Sequence, residues 1–444
     1  MQANKVLVIG IDGVSYDLLG SFLARGLMPN LSRIVREGYL RRMNSTIPEV
    51  SSTAWTTFMT GMNPGNHGIF GFMDFENKSR KIYFPNSESI QSPTLWEILG
   101  RYNKKSIVIN LPSTYPARPI NGILTAGFVA IDLKKATYPE AAYDYLKSMG
   151  YRLDVDAAKA SVSLAALFDD ICLTLEKRIE AIFHFLDYEW DLFIGVITET
   201  DRLHHFMWSA AHEGNEFNAQ FLDFYKRIDL FIGEMQRRAV EKYGDNLSIM
   251  IVSDHGFSDI RQEVYINSFL TEKGCLRFNS ASPRSLEEVH PDSRAFALDP
   301  SRIYINTEDR FSGGCVSRDD YQNVREELRN AFLSLRFDGE PVIKKVFMKE
   351  ELYSGTCFER APDLVLLAHR GFDLKGAVNK QSVFGKGVFT GTHVQDDAVF
   401  ILHDGKRHDL LPDVIDITDI APTIYQILSI RDVQVDGRSL AGIR

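Results

Sequence analysis

The stretch Ser248-Ile-Met-Ile-Val-Ser-Asp-His-Gly256 runs from four consecutive apolar residues through one serine into an aspartate and a histidine. A short apolar run rich in β-branched residues is typical of a strand buried in a mostly parallel sheet. Sheets of this kind bind their ligands beyond the carboxyl ends of the strands. The stretch therefore predicts a strand over Ser248–Val252 and a ligand-binding position at Asp254 and His255. A turn aspartate beside a packed histidine is the alternative interpretation.

Similar apolar runs recur along the chain and are separated by helical patterns. The other predicted strands are Val6–Ile11, Ser106–Ile109, Leu192–Ile197, Leu364–Leu367 and Ala398–Leu402. Apolar residues at helical spacing predict helices over Ser163–Tyr188 and Glu216–Tyr243. Alternating strands and helices predict an α/β fold with a mostly parallel central sheet sandwiched by helices.

The region 262–389 has a different pattern, with strand-like segments at Arg302–Asn306 and Val342–Met348 around a helix-like Asp319–Leu335. We expect it to be a smaller, cap-like region inserted into a larger sheet domain of residues 1–261 and 390–444.

Composition excludes some classes of function. The chain has 444 residues, 25% of them charged, and a formal net charge of -9. This acidic balance argues against a protein that coats nucleic acid, although a metal site could still attract a small anionic substrate. No apolar run reaches membrane length. The four cysteines are widely spaced, which is typical of reduced thiols, and we expect a cytoplasmic protein without a membrane span.

Three more segments place carboxylates or histidines after predicted strands. Asp12 follows the first strand directly, and Asp201 follows the strand Leu192–Ile197. His205 lies four residues after Asp201 and His204 three, so either histidine could share a helix face with it. His393 lies in a late loop of small residues. Each segment alone is equally typical of a turn, a helix cap or a packed side chain.

Taken together, these segments indicate a metal centre. Three aspartates and three histidines are ligands suited to zinc or manganese, and they are too many for one tetrahedral ion with an open position. They would suit two ions about 4 Å apart, which could stabilise the attacking and leaving oxygens at phosphorus. The hydroxyl-rich segment Ser51–Thr60 could supply the nucleophile.

These residues resemble the alkaline phosphatase superfamily and, within it, the type I phosphodiesterase/nucleotide pyrophosphatase branch. The resemblance covers nearly the whole chain and rests on Ile11-Asp-Gly13, Ser51–Gly61, Asn63–Ile69, Thr200-Asp201, His205, Ser253–Gly256, Ala361–Leu364, Gly391–His393, Asp419–Ile424 and Asp436–Arg438. It implies one metal site of Asp201, His205 and His393. It implies a second site of Asp12, Asp254, His255 and the nucleophile, and it makes His204 a non-ligand.

The resemblance also implies that Ser51 is the nucleophile, because the branch's spacings back from Thr60-Gly61 and from His67-Gly68 both reach it. Ser52 and Thr53 are the alternatives. Two departures concern the substrate. Gly71-Phe72 occupies the place where nucleotide-cleaving relatives carry an asparagine, and Val394–Asp397 replaces a common Arg-Pro-Asp-Gly run.

The implied activity is hydrolysis of a small phosphorylated substrate, most simply a phosphodiester or pyrophosphate. It would use two divalent ions, zinc or manganese, and a phosphoseryl intermediate. The alternatives are a phosphomonoesterase, a phosphotransferase or mutase, a sulfuryl or phosphonate hydrolase, and a metal-binding scaffold without activity. The sulfatase alternative lacks its usual Cys-x-Pro-x-Arg segment.

Overall fold

The computed structural model describes residues 4–405 and 411–441, which form two compact units. The first comprises Met1–Asn63, Asn86–Ser258 and Phe389–Arg444, and the second comprises Pro64–Pro85 and Asp259–Val388. The sequence-based boundaries had not assigned residues 64–85 to the second unit. All four cysteines are free. Within the described ranges, no helix combines the length and the apolar character needed to cross a membrane.

The first unit is built on a sheet that has nine strands within the described residues. In spatial order they are Val414–Asp416, Tyr39–Asn44, Ala398–His403, Leu247–Val252, Lys5–Ile11, Leu192–Ile197, Ser106–Leu111, Gly122–Ala126 and Thr137–Tyr138. The five strands from Leu247–Val252 to Gly122–Ala126 run parallel, whereas Ala398–His403 is antiparallel to both of its neighbours. The predicted mostly parallel sheet is thus confirmed.

Helices cover both faces of this sheet. One face packs against Tyr16–Ala24, Pro29–Glu37, Glu140–Ser148, Leu164–Leu186, Glu199–Met207 and Asn218–Tyr243, and the other against Ser51–Thr60, Leu95–Arg101 and Ile420–Ile427. The helix Leu164–Leu186 begins after Ser163, whose hydroxyl accepts a hydrogen bond from the Ala166 amide at 3.0 Å. Such a cap stabilises a helix start by about 1 kcal/mol.

The second unit has its own apolar core and two main sheets. A four-stranded antiparallel sheet has the order Ala295–Leu298, Arg302–Ile305, Leu364–Ala368 and Ile343–Met348. A three-stranded sheet has the order Phe372–Lys375, Gln262–Tyr265 and Phe384–Gly385. The remaining paired strands are Asp74–Phe75 with Ile82–Tyr83 and Arg336–Phe337 with Glu340–Pro341. The helices are Pro64–His67, Ile266–Glu272, Tyr321–Leu333 and Lys349–Leu352.

One predicted strand lies in a different sheet from the one we expected. Leu364–Leu367 was grouped with the central parallel sheet, but it belongs to the antiparallel sheet of the second unit. Its apolar run is buried in either setting, and burial alone does not determine which sheet a strand joins.

Candidate active site

The candidate residues converge at the carboxyl edge of three adjacent parallel strands. Asp12 follows Lys5–Ile11, Asp254 and His255 follow Leu247–Val252, and Asp201 lies in the helix that follows Leu192–Ile197. Parallel strands end at a common edge, so these side chains become neighbours although they are far apart in sequence. His393 reaches the same place from the strand Gly391–Val394, which pairs with Gly256–Asp259.

The structure groups these residues in two sets. One set is Asp12, Asp254 and His255, and the other is Asp201, His205 and His393. Within each set the possible ligand atoms lie within 4.8 Å of one another. Each set therefore has the donors and the spacing that could hold one metal ion.

The three histidines all direct the same ring nitrogen toward the site. Their Nδ1 atoms lie 2.8–3.2 Å from backbone carbonyls, in the pairs His205–Gly391, His255–Gly256 and His393–Glu49. A carbonyl oxygen can only accept, so each Nδ1 carries the proton and donates it. Each Nε2 keeps its lone pair, which is the arrangement by which a second partner orients a metal-binding histidine.

Close contacts within the second set fit a cation. His205 Nε2 and His393 Nε2 are 3.0 Å apart, so two lone pairs would face each other unless a positive charge lay between them. Asp201 Oδ1 lies 3.4 Å from each of these nitrogens. That oxygen is buried and accepts no hydrogen bond from the described residues. A divalent ion would satisfy all three atoms.

The first set concentrates negative charge in a buried position. Trp55 Nε1 donates to Asp12 Oδ2 at 2.8 Å, and the Gly13 amide donates to Asp254 Oδ1 at 3.1 Å. Asp254 Oδ2 is buried and accepts no hydrogen bond within the described part of the chain. Burial raises the pKa of Asp254 to about 6, and burial together with the charge of Asp254 raises the pKa of Asp12. Because two buried carboxylates oppose ionisation, their arrangement fits a bound cation.

Ser51 is the first residue of the helix Ser51–Thr60, and its hydroxyl lies against the first set. Its Oγ is 3.3 Å from Asp12 Oδ1 and 3.1 Å from His255 Nε2. The hydroxyls of Ser52 and Thr53 are buried and have no hydrogen-bond partner among the described residues. The helix N-terminus places backbone amides and a partial positive charge beside Ser51, where they favour a phosphoryl group.

Two further hydroxyls of this helix, those of Thr56 and Thr60, bond to its backbone. Thr56 Oγ1 donates to the Ser52 carbonyl at 2.6 Å, and Thr60 Oγ1 donates to the Thr56 carbonyl at 2.7 Å. These bonds to carbonyls four residues earlier satisfy buried hydroxyls within a fully buried helix.

Comparison with known proteins identifies the family. The family model described as type I phosphodiesterase / nucleotide pyrophosphatase matches residues 6–395. The chain belongs to this family. Family membership indicates hydrolysis of phosphoesters. A search of curated proteins finds no match.

Two solved structures share the fold of this type I phosphodiesterase family member. Phosphonoacetate hydrolase from Sinorhizobium meliloti 1021, in complex with phosphonoformate, superimposes with a TM-score of 0.65 at 16% identity, covering 96% of this chain and 95% of the other. Murine ectonucleotide pyrophosphatase/phosphodiesterase 5, as an inactive threonine-to-alanine variant in complex with AMP, gives 0.60 at 15% identity, covering 98% and 97%.

Arg202 lies at the candidate site of this family member, and the sequence analysis did not predict it. Its guanidinium binds Asp154 through two bonds of 3.1 and 2.7 Å, and Nη1 lies 3.5 Å from Asp201 Oδ2. It also lies over the Phe128 ring at 4.4 Å. Because Asp154 is 48 residues away, the spacing along the sequence does not indicate this pair. The position of Arg202 directly after Asp201 is a sequence signal for its place at the site.

At each of the two places where the chain departs from the family pattern, one residue is fixed by its packing. A Cβ atom at Gly71 would lie 2.6 Å from Arg302 Cζ, so any larger residue would collide with this buried guanidinium. Asp397 is buried and accepts from Ser15 Oγ at 2.5 Å, from the Asp17 amide at 3.3 Å and from Arg42. Asp397 therefore fixes the turn that leads out of Asp12.

His204 is turned away from both sets. Its Nδ1 lies 2.9 Å from the Gly13 carbonyl, and its Nε2 lies 2.7 Å from the Tyr225 hydroxyl. Burial lowers the pKa of His204 to about 4, so the ring is neutral, donates to Gly13 and accepts from Tyr225. Since the Gly13 amide in turn donates to Asp254, this chain of bonds connects Tyr225 to the first set.

We expect Tyr225→Phe to weaken metal binding by the first set. It leaves His204 Nε2 buried without a donor, which costs about 1–3 kcal/mol and loosens the Gly13 peptide that holds Asp254. Isothermal titration of zinc would measure the affinity, and urea unfolding the stability. Tyr425→Phe is the matched control, because its buried hydroxyl has no partner among the described residues. Equal zinc affinity in Tyr225→Phe and wild type would contradict this positioning role.

His67, from the His67-Gly68 motif, should make the protein less stable in mild acid. The side chain is fully buried, its Nδ1 accepts from the Ile69 amide at 3.1 Å, and burial lowers its pKa to about 3. Between this pKa and the usual 6.5 the unfolded chain binds the proton more tightly, so stability is complete above pH 6.5 and falls as the pH decreases.

At pH 5 the contribution of His67 to this loss should be about 2 kcal/mol relative to pH 8. Urea unfolding at both pH values should show a pH difference about 2 kcal/mol smaller in His67→Gln than in wild type. The buried His204, whose pKa is also lowered, adds to the loss in both proteins. His290→Gln, a change at a partly exposed histidine of the same unit, should leave the difference as in wild type. A pH difference as large in His67→Gln as in wild type would show that His67 does not contribute to it.

Proposed function

We propose that this protein is a dimetal-dependent hydrolase of phosphodiesters or pyrophosphates that uses Ser51 as its nucleophile. The observation that carries the proposal is the position of Ser51 Oγ, at a helix N-terminus and 3.1 Å from His255 Nε2. A hydroxyl beside a metal-binding set and facing amides that favour phosphate is suited to attack phosphorus.

Two divalent ions, zinc or manganese, would be held by Asp12, Asp254 and His255 and by Asp201, His205 and His393. When bound, they would supply positive charge for the oxygens of a phosphoryl group. One carboxylate oxygen each of Asp201 and Asp254 accepts no hydrogen bond from any residue in 4–405 or 411–441, and these oxygens and the three Nε2 lone pairs support this assignment. Carboxylates and imidazoles suit zinc and manganese better than magnesium.

The chain's own residues would attack phosphorus, hold the phosphoryl group and keep the candidate ligands in place. Ser51 Oγ would lose its proton and form a bond to phosphorus while the bond to the leaving alcohol breaks and that alcohol takes up a proton. The first amides of the helix Ser51–Thr60 would hold a phosphoryl oxygen. Water would then cleave the phosphoserine and restore the hydroxyl. The bond from Trp55 to Asp12 would keep that carboxylate in place during both steps.

The same site could instead support phosphomonoester hydrolysis, phosphoryl transfer or phosphonate hydrolysis. Phosphonoacetate hydrolase and an AMP-binding pyrophosphatase/phosphodiesterase both share the fold, which allows either kind of chemistry. Diester or pyrophosphate cleavage is preferred because the family match supports it over residues 6–395.

A panel of substrates with zinc or manganese would test the proposal. We would compare thymidine 5′-(p-nitrophenyl phosphate), p-nitrophenyl phosphate and phosphonoacetate, and measure kcat/KM for each. The diester should be cleaved with the highest kcat/KM. A preference for the monoester would make the protein a phosphatase, and release of phosphate from phosphonoacetate alone would make it a phosphonate hydrolase. Lack of turnover with every substrate and metal would favour the alternative of a metal-binding scaffold without activity.

A further inference from the structure

The segment Tyr151–Asp154 is tied to the helix Glu199–Met207, which carries two residues of the second metal-binding set. The link is Arg178, whose guanidinium donates to Glu199 Oε1 at 3.0 and 3.2 Å and to the Leu153 carbonyl at 3.2 Å. The side chains of Arg178 and Glu199 are at most 1% exposed. Because breaking a buried ion pair leaves an uncompensated charge, this link fixes the segment against the start of the helix.

Asp154, at the end of this segment, binds Arg202 of the same helix. It accepts from Arg202 Nε at 3.1 Å and from Nη2 at 2.7 Å, and the centre of the Phe128 ring lies 4.4 Å from the guanidinium. Two parallel hydrogen bonds to one carboxylate, together with contact to an aromatic ring, fix both the direction and the plane of a guanidinium. The position of the third nitrogen, Nη1, is therefore determined by residues outside the metal-binding set.

This third nitrogen faces one side of a candidate ligand. Arg202 Nη1 lies 3.5 Å from Asp201 Oδ2. Asp201 Oδ1 lies 3.4 Å from each of the Nε2 atoms of His205 and His393. The two oxygens of this carboxylate thus have different neighbours, a fixed cation beside Oδ2 and two imidazoles beside Oδ1. Attraction between Nη1 and Oδ2 opposes a rotation of the carboxylate that would move Oδ1 away from the histidines.

We propose that Arg202 is a positioning residue for the second metal-binding set: clamped by Asp154, it holds Asp201 Oδ2 so that Oδ1 points to the ion. This role rests on the metal-binding part of the proposed function. The carboxylate of Asp154 offsets the charge of Arg202 at 2.7 Å, so the main contribution of Arg202 is orientation of the ligand. Partners that orient a ligand in this way change metal affinity by about 10–100-fold.

Isothermal titration of zinc into the metal-free, full-length protein would test this role. Asp254→Asn serves as the background, because it removes a carboxylate from the first set and lets the tighter binding event report the second set. In this background Arg202→Gln and Asp154→Ala should each weaken the tighter event by about tenfold or more. The double variant should bind no more weakly than either single variant, since both changes remove the same clamp.

A purely electrostatic effect of Arg202 predicts a different pattern. Arg202→Gln would then remove a positive charge near the ion and strengthen zinc binding, whereas Asp154→Ala would leave that charge uncompensated and weaken binding. The double variant would bind zinc like the background protein. Positioning predicts a loss in all three, so tighter binding by Arg202→Gln or recovery in the double variant would overturn the proposal.

Arg152→Gln is the matched control, because it removes another arginine ion pair from the same segment of the chain. Arg152 donates to Asp170 at 2.7 Å and to Thr174 at 2.8 Å, both on the helix Leu164–Leu186. The change should lower the melting temperature and leave zinc affinity as in the background protein. An equal loss of zinc affinity in Arg152→Gln and Arg202→Gln would indicate a general effect of stability and contradict the proposal.

The results separate this role from the proposed reaction. Zinc affinity that depends on Arg202, together with no turnover of any substrate, would retain the positioning role and refute the hydrolase. Two zinc ions bound by wild type, with unchanged affinity after Arg202→Gln, would refute the positioning role alone. Failure of wild type to bind zinc or manganese would overturn both.

Discussion

Ser51→Ala is expected to lower kcat for diester hydrolysis by a factor of about 10³ or more. The variant removes the oxygen that would form the bond to phosphorus, while the helix N-terminus and both metal-binding sets stay in place. Ser52→Ala is the matched control, because it removes a buried hydroxyl from the next residue of the same helix. That hydroxyl has no partner among the described residues, so kcat should change by less than about threefold.

A direct measurement would show whether the Ser51 or the Ser52 hydroxyl is the nucleophile. Rapid acid quenching during turnover, followed by mass spectrometry of peptides, should find phosphate on Ser51 in wild type and on no peptide of Ser51→Ala. Ser51→Thr keeps a hydroxyl and should retain measurable turnover. Full activity of Ser51→Ala, or a phosphate on Ser52, would move the nucleophile by one residue and contradict the proposed role.

Removal of divalent metal by chelation should abolish hydrolysis and lower the melting temperature. Without a cation, Asp12 and Asp254 are buried close together, and burying ionised carboxylates destabilises the fold. Adding zinc or manganese should restore both properties. Activity that persists after exhaustive chelation, with metal content verified by atomic emission, would contradict the dimetal proposal.

Asp254→Asn should affect activity and stability in opposite directions. It should abolish activity and weaken zinc binding, since the amide oxygen is a poorer ligand. At pH 8 it should stabilise the metal-free protein by on the order of 3 kcal/mol, because the pKa of Asp254 is raised to about 6 and its ionised form is disfavoured on folding. The amide can still accept from Gly13. Asp245→Asn, at an exposed position, should change neither property. A metal-free Asp254→Asn protein less stable than wild type would contradict this account.

The parallel core of the fold was predictable because each strand carries its own signal. Val6–Ile11 and Leu192–Ile197 are continuous apolar runs with a carboxylate beyond their ends, and parallel pairing then brings Asp12 and Asp201 together. The sheet assignment of Leu364–Ala368 was not predictable, since the run reads the same in a parallel or an antiparallel sheet. The assignment of residues 64–85 to the second unit depends on long-range contacts for which local patterning gives no signal.

For the site, residue type and spacing were enough to nominate candidate ligands but not to describe their surroundings. Spacing left His204 and His205 equivalent as partners of Asp201, and the family resemblance implied His205. The contacts of His204 with Gly13 and Tyr225 turn its ring away from the candidate ligands. Arg202 and Asp154 meet across 48 residues, so neither segment alone indicates the pair. Gly71 has a packing explanation that appears only once Arg302 is placed beside it.

The order of strands in the central sheet has a consequence for synthesis on the ribosome. Ala398–His403 lies between Tyr39–Asn44 and Leu247–Val252, although it is translated long after both. Until it emerges, the nascent chain carries two strands whose backbone groups on that side have no partner, which is a known route to aggregation. His393 arrives just before this strand. The strand that closes this gap therefore follows shortly after the last candidate ligand. Co-translational assembly would join the two parts of the sheet and complete the proposed metal centre together, before the edge strand Val414–Asp416 is added.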